Sequence, residues 1–396
     1  MTPSSLPVID NESIAPRILA GFSAIIIGIG LNRFSYIAFI PILITANWLT
    51  PEQAGYLGAA NLLGYLLGAL SANATALKFG VRSVVRANML ISIISFAACA
   101  WPLGFEWLAF WRLVAGVTGA QLMVVAVPAV LSAIPPSRKG RASGIVFSGI
   151  GFGIIFSGLA MPQLAELGVV ETWLILGLVC VFFSALAWSP WEAKPQTIQT
   201  ASAAPAAKLL TWPVILLLGA YALDAFGFVP HTVFWVDFIA RGLGHGKELG
   251  GFFWMLVGLG AVFGPVLAGW SADKIGFKWA MTLAFGMKAA AVSLPLIDTS
   301  LPLLTVSSLV VGAIIPGMVA LVSGFTAVLV GPEKNRQVWG WMTFAFAILQ
   351  AVSGFFMAWL FDVTASYFPL FQAGWIALAM GAILALISPR PSTVHS

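Results

Sequence analysis

Glu52-Gln53-Ala54-Gly55, continuing to Gly64-Tyr65-Leu66-Leu67-Gly68, is answered 196 residues later by Glu248-Leu249-Gly250-Gly251 and Gly260-Ala261-Val262-Phe263-Gly264. The same offset joins Gly116 to Gly312 and Gly144 to Gly340. At a slightly shorter offset, Asn32-Arg33-Phe34-Ser35-Tyr36 is echoed by Asp224-Ala225-Phe226-Gly227-Phe228. Both copies run through apolar sequence, so the chain reads as a duplicated array of hydrophobic segments. Two membrane-embedded halves related by such a repeat commonly hold a solute site at their interface near the bilayer midplane, which makes transport the leading expectation.

Composition agrees. The chain is 60% apolar and 8% charged, with a mean hydropathy of +0.98, whereas soluble domains carry about 25% charged residues. Apolar runs of about 20 residues predict helices and argue against the alternating ten-residue segments of a barrel. The predicted spans are 17–45, 53–77, 83–104, 107–134, 142–166, 171–189, 212–238, 248–272, 278–298, 301–330, 337–362 and 367–388. The fold class is therefore an all-α integral membrane protein of twelve transmembrane helices in two pseudo-symmetric six-helix halves. The segment at 191–211, rich in Ala, Thr, Ser and Pro, reads as a flexible cytoplasmic linker between halves at 1–190 and 212–396.

With the N-terminus inside, fourteen Lys and Arg fall on the cytoplasmic side, against Arg241 and Lys247 outside. That asymmetry predicts both termini in the cytoplasm of a bacterial inner membrane. The net charge of +5 is accordingly a topology signal, and no nucleic-acid partner is expected. No cleavable signal is expected either. Cys99 and Cys180 fall inside helices and suggest neither a disulfide framework nor a metal site. No phosphate-binding loop, metal-spaced cluster or convergent acid-base group is present in the sequence, so no enzyme, catalytic residue or cofactor is expected. The expected partners are the lipid bilayer, a small-molecule substrate and protons, with the protein acting as a monomer.

Several motifs carry a family resemblance. Gly269-x-x-x-Asp273-Lys274-Ile275-Gly276-Phe277-Lys278 resembles the signature between helices 8 and 9 of the major facilitator superfamily. Its first-half counterpart is eroded, with Asn73 and Leu77 in place of Gly and Asp but Lys78, Gly80 and Arg82 kept. Arg112-x-x-x-Gly116 resembles a second family motif. Gly149-x-x-x-Gly153 with Ser157-Gly158 looks like a degraded antiporter motif, Ile154 standing where Pro is usual. Gly28-x-Gly30-x-x-Arg33-Phe34-x-Tyr36 is similar to the YbfB/YjiJ-type branch. The resemblance implies alternating access, with the first and seventh helices facing one another across a central cavity. It also implies cytoplasmic contacts of Asp273 and Lys274 with Arg141 or Arg336 that gate one state; ordinary topology-setting loop charge is the alternative.

Arg33 has fifteen uncharged residues before it and thirteen after, so no 20-residue window of its helix excludes it. A charge at a helix centre costs about 2.5–3.5 kcal/mol on insertion scales, so such residues usually face a cavity or a partner. At 100° per residue Asn32, Arg33, Ser35 and Tyr36 share an arc, which predicts a polar, substrate-binding face. Asp224 is flanked by twelve uncharged residues on each side, and Tyr221 and His231 lie on its stripe, with Phe228 one turn beyond. The resemblance implies that Arg33 and Asp224 approach near midplane, Arg33 meeting an anionic group through its planar fork of donors. Asp224 is then the expected proton carrier, because protonation of a poorly solvated carboxylate depends on its neighbours. His231 serves as relay; for Arg112 the family motif implies a coupling or gating role, while the 20 residues from Leu113 to Ser132 can span the membrane without it and leave it near the outer surface. The plainer alternatives are a fixed structural ion pair and a histidine that only hydrogen-bonds within the bundle.

Lys288 has nine uncharged residues on either side, yet its helix is peripheral in the resembled fold; snorkelling or a local partner is expected of it, with no functional role. Asp237 reads as a solvated helix-end charge. The small residues at Gly28, Gly30, Gly64 and Gly68 predict close helix packing, and Gly149 and Gly153 a contact that seals or bends during alternation. Trp339 and Trp341 matter only if they face the cavity. The leading functional expectation is proton-coupled export of a small organic or amphipathic compound. Proton-coupled uptake of a small organic anion is the alternative, and a non-transporting sensor or scaffold the third.

Overall fold

A bilayer offers no water to backbone amides, so a chain this apolar satisfies them within helices. The computed structural model describes residues 14–135, 138–189, 191 and 209–388, without the side chains of 332, 333 and 336. Among the described residues, twelve helices are long and apolar enough to cross a membrane. They are α1 (Ile14–Thr45), α2 (Pro51–Phe79), α3 (Val81–Cys99), α4 (Phe105–Ser132), α5 (Lys139–Leu164) and α6 (Val169–Leu186), then α7 (Trp212–Gly242), α8 (Gly246–Ile275), α9 (Phe277–Ile297), α10 (Leu301–Val330), α11 (Pro332–Thr364) and α12 (Phe368–Ile387). Each matches a predicted span. Most of the expected linker, 192–208, lies outside the described residues. An even number of crossings returns the chain to its starting face, here termed the terminal face.

Local chemistry sets the helix ends. Thr50 and Gln53 form a reciprocal capping box at the start of α2, with Pro51 in the first turn, where its missing N–H costs nothing. The α2–α3 and α8–α9 turns pass through Gly80 and Gly276, 196 positions apart, both at φ 79°. A side chain would be strained there.

The repeat visible in the sequence is a repeat of contacts. A Cβ at Gly64 would overlap the carbonyl of Leu113, and one at Gly260 the carbonyl of Leu309. Gly68 stands against Val117 as Gly264 stands against Ala313, and Gly116 against Asn61 as Gly312 against Val257. Every member is displaced by 196, so α2 packs on α4 as α8 packs on α10. Lipid tails are as apolar as Leu, so helix association here depends on close backbone approach, which these glycines permit.

Between the halves, α5 meets α8 where Gly158 faces Gly251 and Gly151 faces Gly258. The α2–α11 contact runs through Gly354 against Ala59 and Gly55 against Ala358. These contacts lie in the middle and far parts of the helices. Beyond them, on the face opposite the termini, Lys247 in the first turn of α8 hydrogen-bonds to Glu166 of the α5–α6 turn. That bond and the charge of Lys247 hold the exposed Glu166 carboxyl below its ordinary value. A cavity of about 700 Å3 adjoins this contact, lined by Thr45, Glu171, Arg241 and Lys247 among others. Toward the terminal face, a Cβ at Gly140, Gly144 or Gly340 would meet nothing within 4 Å.

Three helices depart from regular α winding; in α4 the departure is a single π-helical turn at Leu122–Ala126. α1 is π-helical from Ile26–Ser35, and α7 from Pro230–Phe234 and again from Phe238–Gly242. The wider turns of α1 hold Asn32, Arg33 and Ser35, and the first of α7 holds His231; π-turns are frequent at functional sites.

Candidate functional site

The π-helical stretch of α1 turns neighbouring polar residues in different directions. Asn32 is fully buried and donates through Nδ2 to Ser92 Oγ on α3 at 2.8 Å and to Thr118 Oγ1 on α4 at 3.0 Å. Tyr36 donates to the Ala54 carbonyl at 2.8 Å, and Ser35 bonds back to Leu31. All three are buried in their own half. The single polar face expected from 100° spacing is therefore divided, because π-winding changes the angle between successive residues.

Arg33 points the other way. It is half-buried, and its Nη1 donates to Gln350 Oε1 on α11, in the opposite half, at 3.2 Å. The guanidinium lies 5.0 Å from the ring centre of Phe34 and 5.7 Å from that of Tyr65. Among the described residues no carboxylate pairs with it. Gln350 was not singled out in the sequence, where one Gln within an apolar helix was the available signal.

Arg112 of α4, 1% exposed, donates to the backbone carbonyl of Asn32 and lies 4.9 Å from the Tyr36 ring centre. Asn61 ties the same place together, donating to the carbonyls of Arg112 at 2.9 Å and Asn32 at 3.2 Å. Arg112 is thus sealed inside the first half and not near the surface, where a window starting at Leu113 would allow it.

In the second half the expected partnership of Arg33 with Asp224 is replaced by another. Asp224 of α7 accepts a hydrogen bond from Lys288 of α9 at 2.8 Å, with the two side chains 1% and 0% exposed. The Lys288 ammonium also sits 4.5 Å from the ring centre of Phe228. Lys288 therefore points inward instead of snorkelling. An ammonium and a carboxylate in so poorly solvated a place each lower the other's desolvation cost, which an isolated reading of either helix misses.

His231 belongs to a third cluster. Its ring stacks on Trp235 at 4.2 Å, and Nε2 lies 2.8 Å from Ser307 Oγ. Ser307 spends its one hydroxyl proton on the Ala291 carbonyl at 2.8 Å, so it accepts from His231 and Nε2 carries the imidazole proton. Nδ1 is buried without a partner. Among the described residues no hydrogen bond connects His231 to Asp224, so the expected relay has no direct link. Asp237 is 3% exposed, bonded to Tyr367 and paired with Arg241 at 3.5 Å, and is not the solvated charge expected.

An aromatic wall joins α7 to α11. Phe346 packs on Tyr221 at 4.6 Å and on Phe228 at 5.8 Å, while Tyr221 stacks on Trp339 at 5.9 Å. Phe228 thus separates the buried Asp224–Lys288 pair from Phe346. Of the expected gating residues, Asp273, Lys274 and Arg141 are exposed, with the Lys274 ammonium 5.2 Å from the Trp270 ring centre. The side chain of Arg336 lies outside the described residues. Gly149 and Gly153 pack against α1, at Phe22 and Gly30, inside one half.

Among the described residues no group of three His, Cys, Asp or Glu is placed to hold a metal ion. A family model described as "Uncharacterised MFS-type transporter YbfB" matches residues 25–386. The chain belongs to this branch of the major facilitator superfamily. It is similar to the niacin transporter NiaP of Acinetobacter baylyi, 32% identical over 124 residues, which are 31% of this chain and 28% of that protein. A putative metabolite transport protein of Haemophilus influenzae is 24% identical over 284 residues, 65% of this chain and 69% of the relative. The crystal structure of a D-xylose-proton symporter superposes with a TM-score of 0.70 at 17% identity, covering 96% of this chain and 97% of that one, a likeness of fold.

Proposed function

We propose that the protein is a proton-coupled secondary transporter that takes up a small organic anion by alternating access. The observation that carries this reading is Arg33, a guanidinium between the halves with an amide across from it and, among the described residues, no carboxylate to neutralise it. An unneutralised cation at membrane depth is costly, and an anionic solute offsets that cost. The similar niacin transporter handles a carboxylic acid by its name, in keeping with this reading. The far-face contacts between the halves, with free space around the terminal-face glycines, fit a cytoplasm-open state.

Proton coupling falls to Asp224. A proton on its carboxylate releases Lys288, and Phe228, which covers the ammonium and touches Phe346, links that event to the space between the halves. Export of an amphipathic compound in exchange for protons is the second reading. Its support is the close Gly158–Gly251 crossing of α5 on α8 between the halves.

Counterflow of labelled small organic anions into proteoliposomes tests the proposal, with protein-free vesicles as the baseline. Exchange that exceeds the baseline, and net accumulation only with an inward proton gradient, is the expected result. Movement of cationic amphiphiles alone supports export, and no flux of any solute returns the sensor or scaffold reading.

A further inference from the structure

Arg33 and Gln350 leave a particular vacancy of hydrogen bonding between them. A guanidinium has only donors, so the Gln350 amide must turn its oxygen to Arg33, as it does at 3.2 Å. Its nitrogen is then left buried without a partner in a side chain that is 1% exposed. Buried donors are rarely left unmade. The Arg33 guanidinium keeps four further N–H groups besides the one it gives to Gln350. Donors from both halves therefore stand unmet around one hydrogen bond, and a planar two-oxygen acceptor answers both, one oxygen on Arg33 and the other on Gln350 Nε2.

The charge inventory limits what that acceptor belongs to. Lys288 is neutralised by Asp224 at 2.8 Å, and Arg241 by Asp237 at 3.5 Å. Arg112 is sealed under Tyr36. Among the described intramembrane residues, Arg33 alone offers an uncompensated charge toward the other half. A solute with two carboxylates would bury its second charge unpaired.

The surroundings of Gln350 give the rest of the solute. Phe346 is one helical turn from it on the same face of α11, within reach of a ring held by its carboxylate at Gln350, while Trp339 lies three turns along that face, beyond the length of one ring. Phe346 and Trp339 are half-buried, with flat faces set by Tyr221 at 4.6 Å and 5.9 Å. Tyr65 flanks Arg33 on the other side. Aromatic surfaces of this kind favour a stacked ring over an aliphatic chain.

We infer that the solute is a planar aromatic monocarboxylate, gripped by Arg33 and Gln350 together and stacked on Phe346. This rests on the organic-anion reading and assigns Gln350 as a second carboxylate ligand. Because the two donors belong to different halves, a bound carboxylate ties them together, and loading favours the occluded state.

Titration calorimetry of the purified full-length protein in detergent tests this with four probes: benzoate, cyclohexanecarboxylate, benzamide and phthalate. Benzoate is expected to bind at least about 10-fold more tightly than each of the others, the worth of one good hydrogen bond or stack. Gln350→Leu should weaken benzoate by about 10–100-fold, as loss of a hydrogen bond to a charged group does, and Gln350→Glu should abolish binding by like-charge repulsion. Phe346→Leu provides the second test, lowering affinity for benzoate while leaving cyclohexanecarboxylate unchanged. Equal binding of cyclohexanecarboxylate, or tighter binding of phthalate, overturns the aromatic monocarboxylate and leaves the organic-anion reading standing. If no carboxylate binds, both fall.

Discussion

Lys288 and Asp224, 64 residues apart, meet as a 2.8 Å ion pair with essentially no solvent contact, inside the second half and behind the ring of Phe228. A buried pair of this kind contributes little net stability compared with well-packed apolar residues, yet losing one partner leaves an uncompensated charge in a poorly solvated place.

That asymmetry gives the first prediction. Lys288→Met alone should destabilise the protein by about 3–5 kcal/mol, while the double variant Asp224→Asn with Lys288→Met should recover most of the loss. Thermal unfolding in detergent, arranged as a double-mutant cycle, checks it. If the double variant folds and still exchanges solute but no longer accumulates it under an inward proton gradient, Asp224 is the proton carrier; unchanged coupling removes it from that role.

Lys288 also marks where legibility in the sequence ended. The twelve spans and the 196-residue repeat follow from hydropathy and glycine spacing along the chain, and they return as matched helix contacts. The depth of Arg33 and Asp224 was legible too, because a window count needs no partner, whereas Lys288 read equally well as snorkelling. Their pairing was not, because it depends on which faces of α7, α9 and α11 meet. The π-turns of α1 hid the division between Asn32 and Arg33, since a fixed 100° step assumes α winding.

The repeat of contacts predicts a repeat of energetics. Gly64→Val and Gly260→Val should destabilise by similar amounts, at least about 1–3 kcal/mol each, since the added side chain meets a backbone carbonyl in both places. Gly140→Ala, with open space around it, should stay within about 0.5 kcal/mol of the wild type. A large difference between the two valine variants would contradict equivalent α2–α4 and α8–α10 packing. Unfolding midpoints of the three variants decide this.

On the far face, the Glu166–Lys247 bond should make closure depend on pH. The Glu166 carboxyl is held below its ordinary value of 4.5, so its contribution is complete above that value and fades as pH falls through the lowered one. Spin-label distances between the α5–α6 and α7–α8 turns should therefore lengthen on acidification in the wild type. In Glu166→Gln they should already be long at neutral pH and insensitive to acid. Identical distances in both proteins would show that the bond does not hold this face closed.

His231 should tolerate change better than a proton relay would. With Nε2–H given to Ser307 and no bond to Asp224, His231→Gln, which can still donate to Ser307, should keep proton-driven accumulation and cost about 1 kcal/mol or less of stability. Loss of coupling in a folded His231→Gln variant would restore the relay.

Everything functional turns on whether the charge of Arg33 is there for a solute. The direct measurement is a thermal-shift titration of wild type and Arg33→Gln with small organic anions and, separately, cationic amphiphiles, since a ligand of the folded state stabilises by about 2.7 kcal/mol at a hundred times its dissociation constant. Stabilisation of the wild type by anions, lost in Arg33→Gln, is the predicted result. Stabilisation by cationic amphiphiles alone, or by anions equally in both proteins, would contradict it.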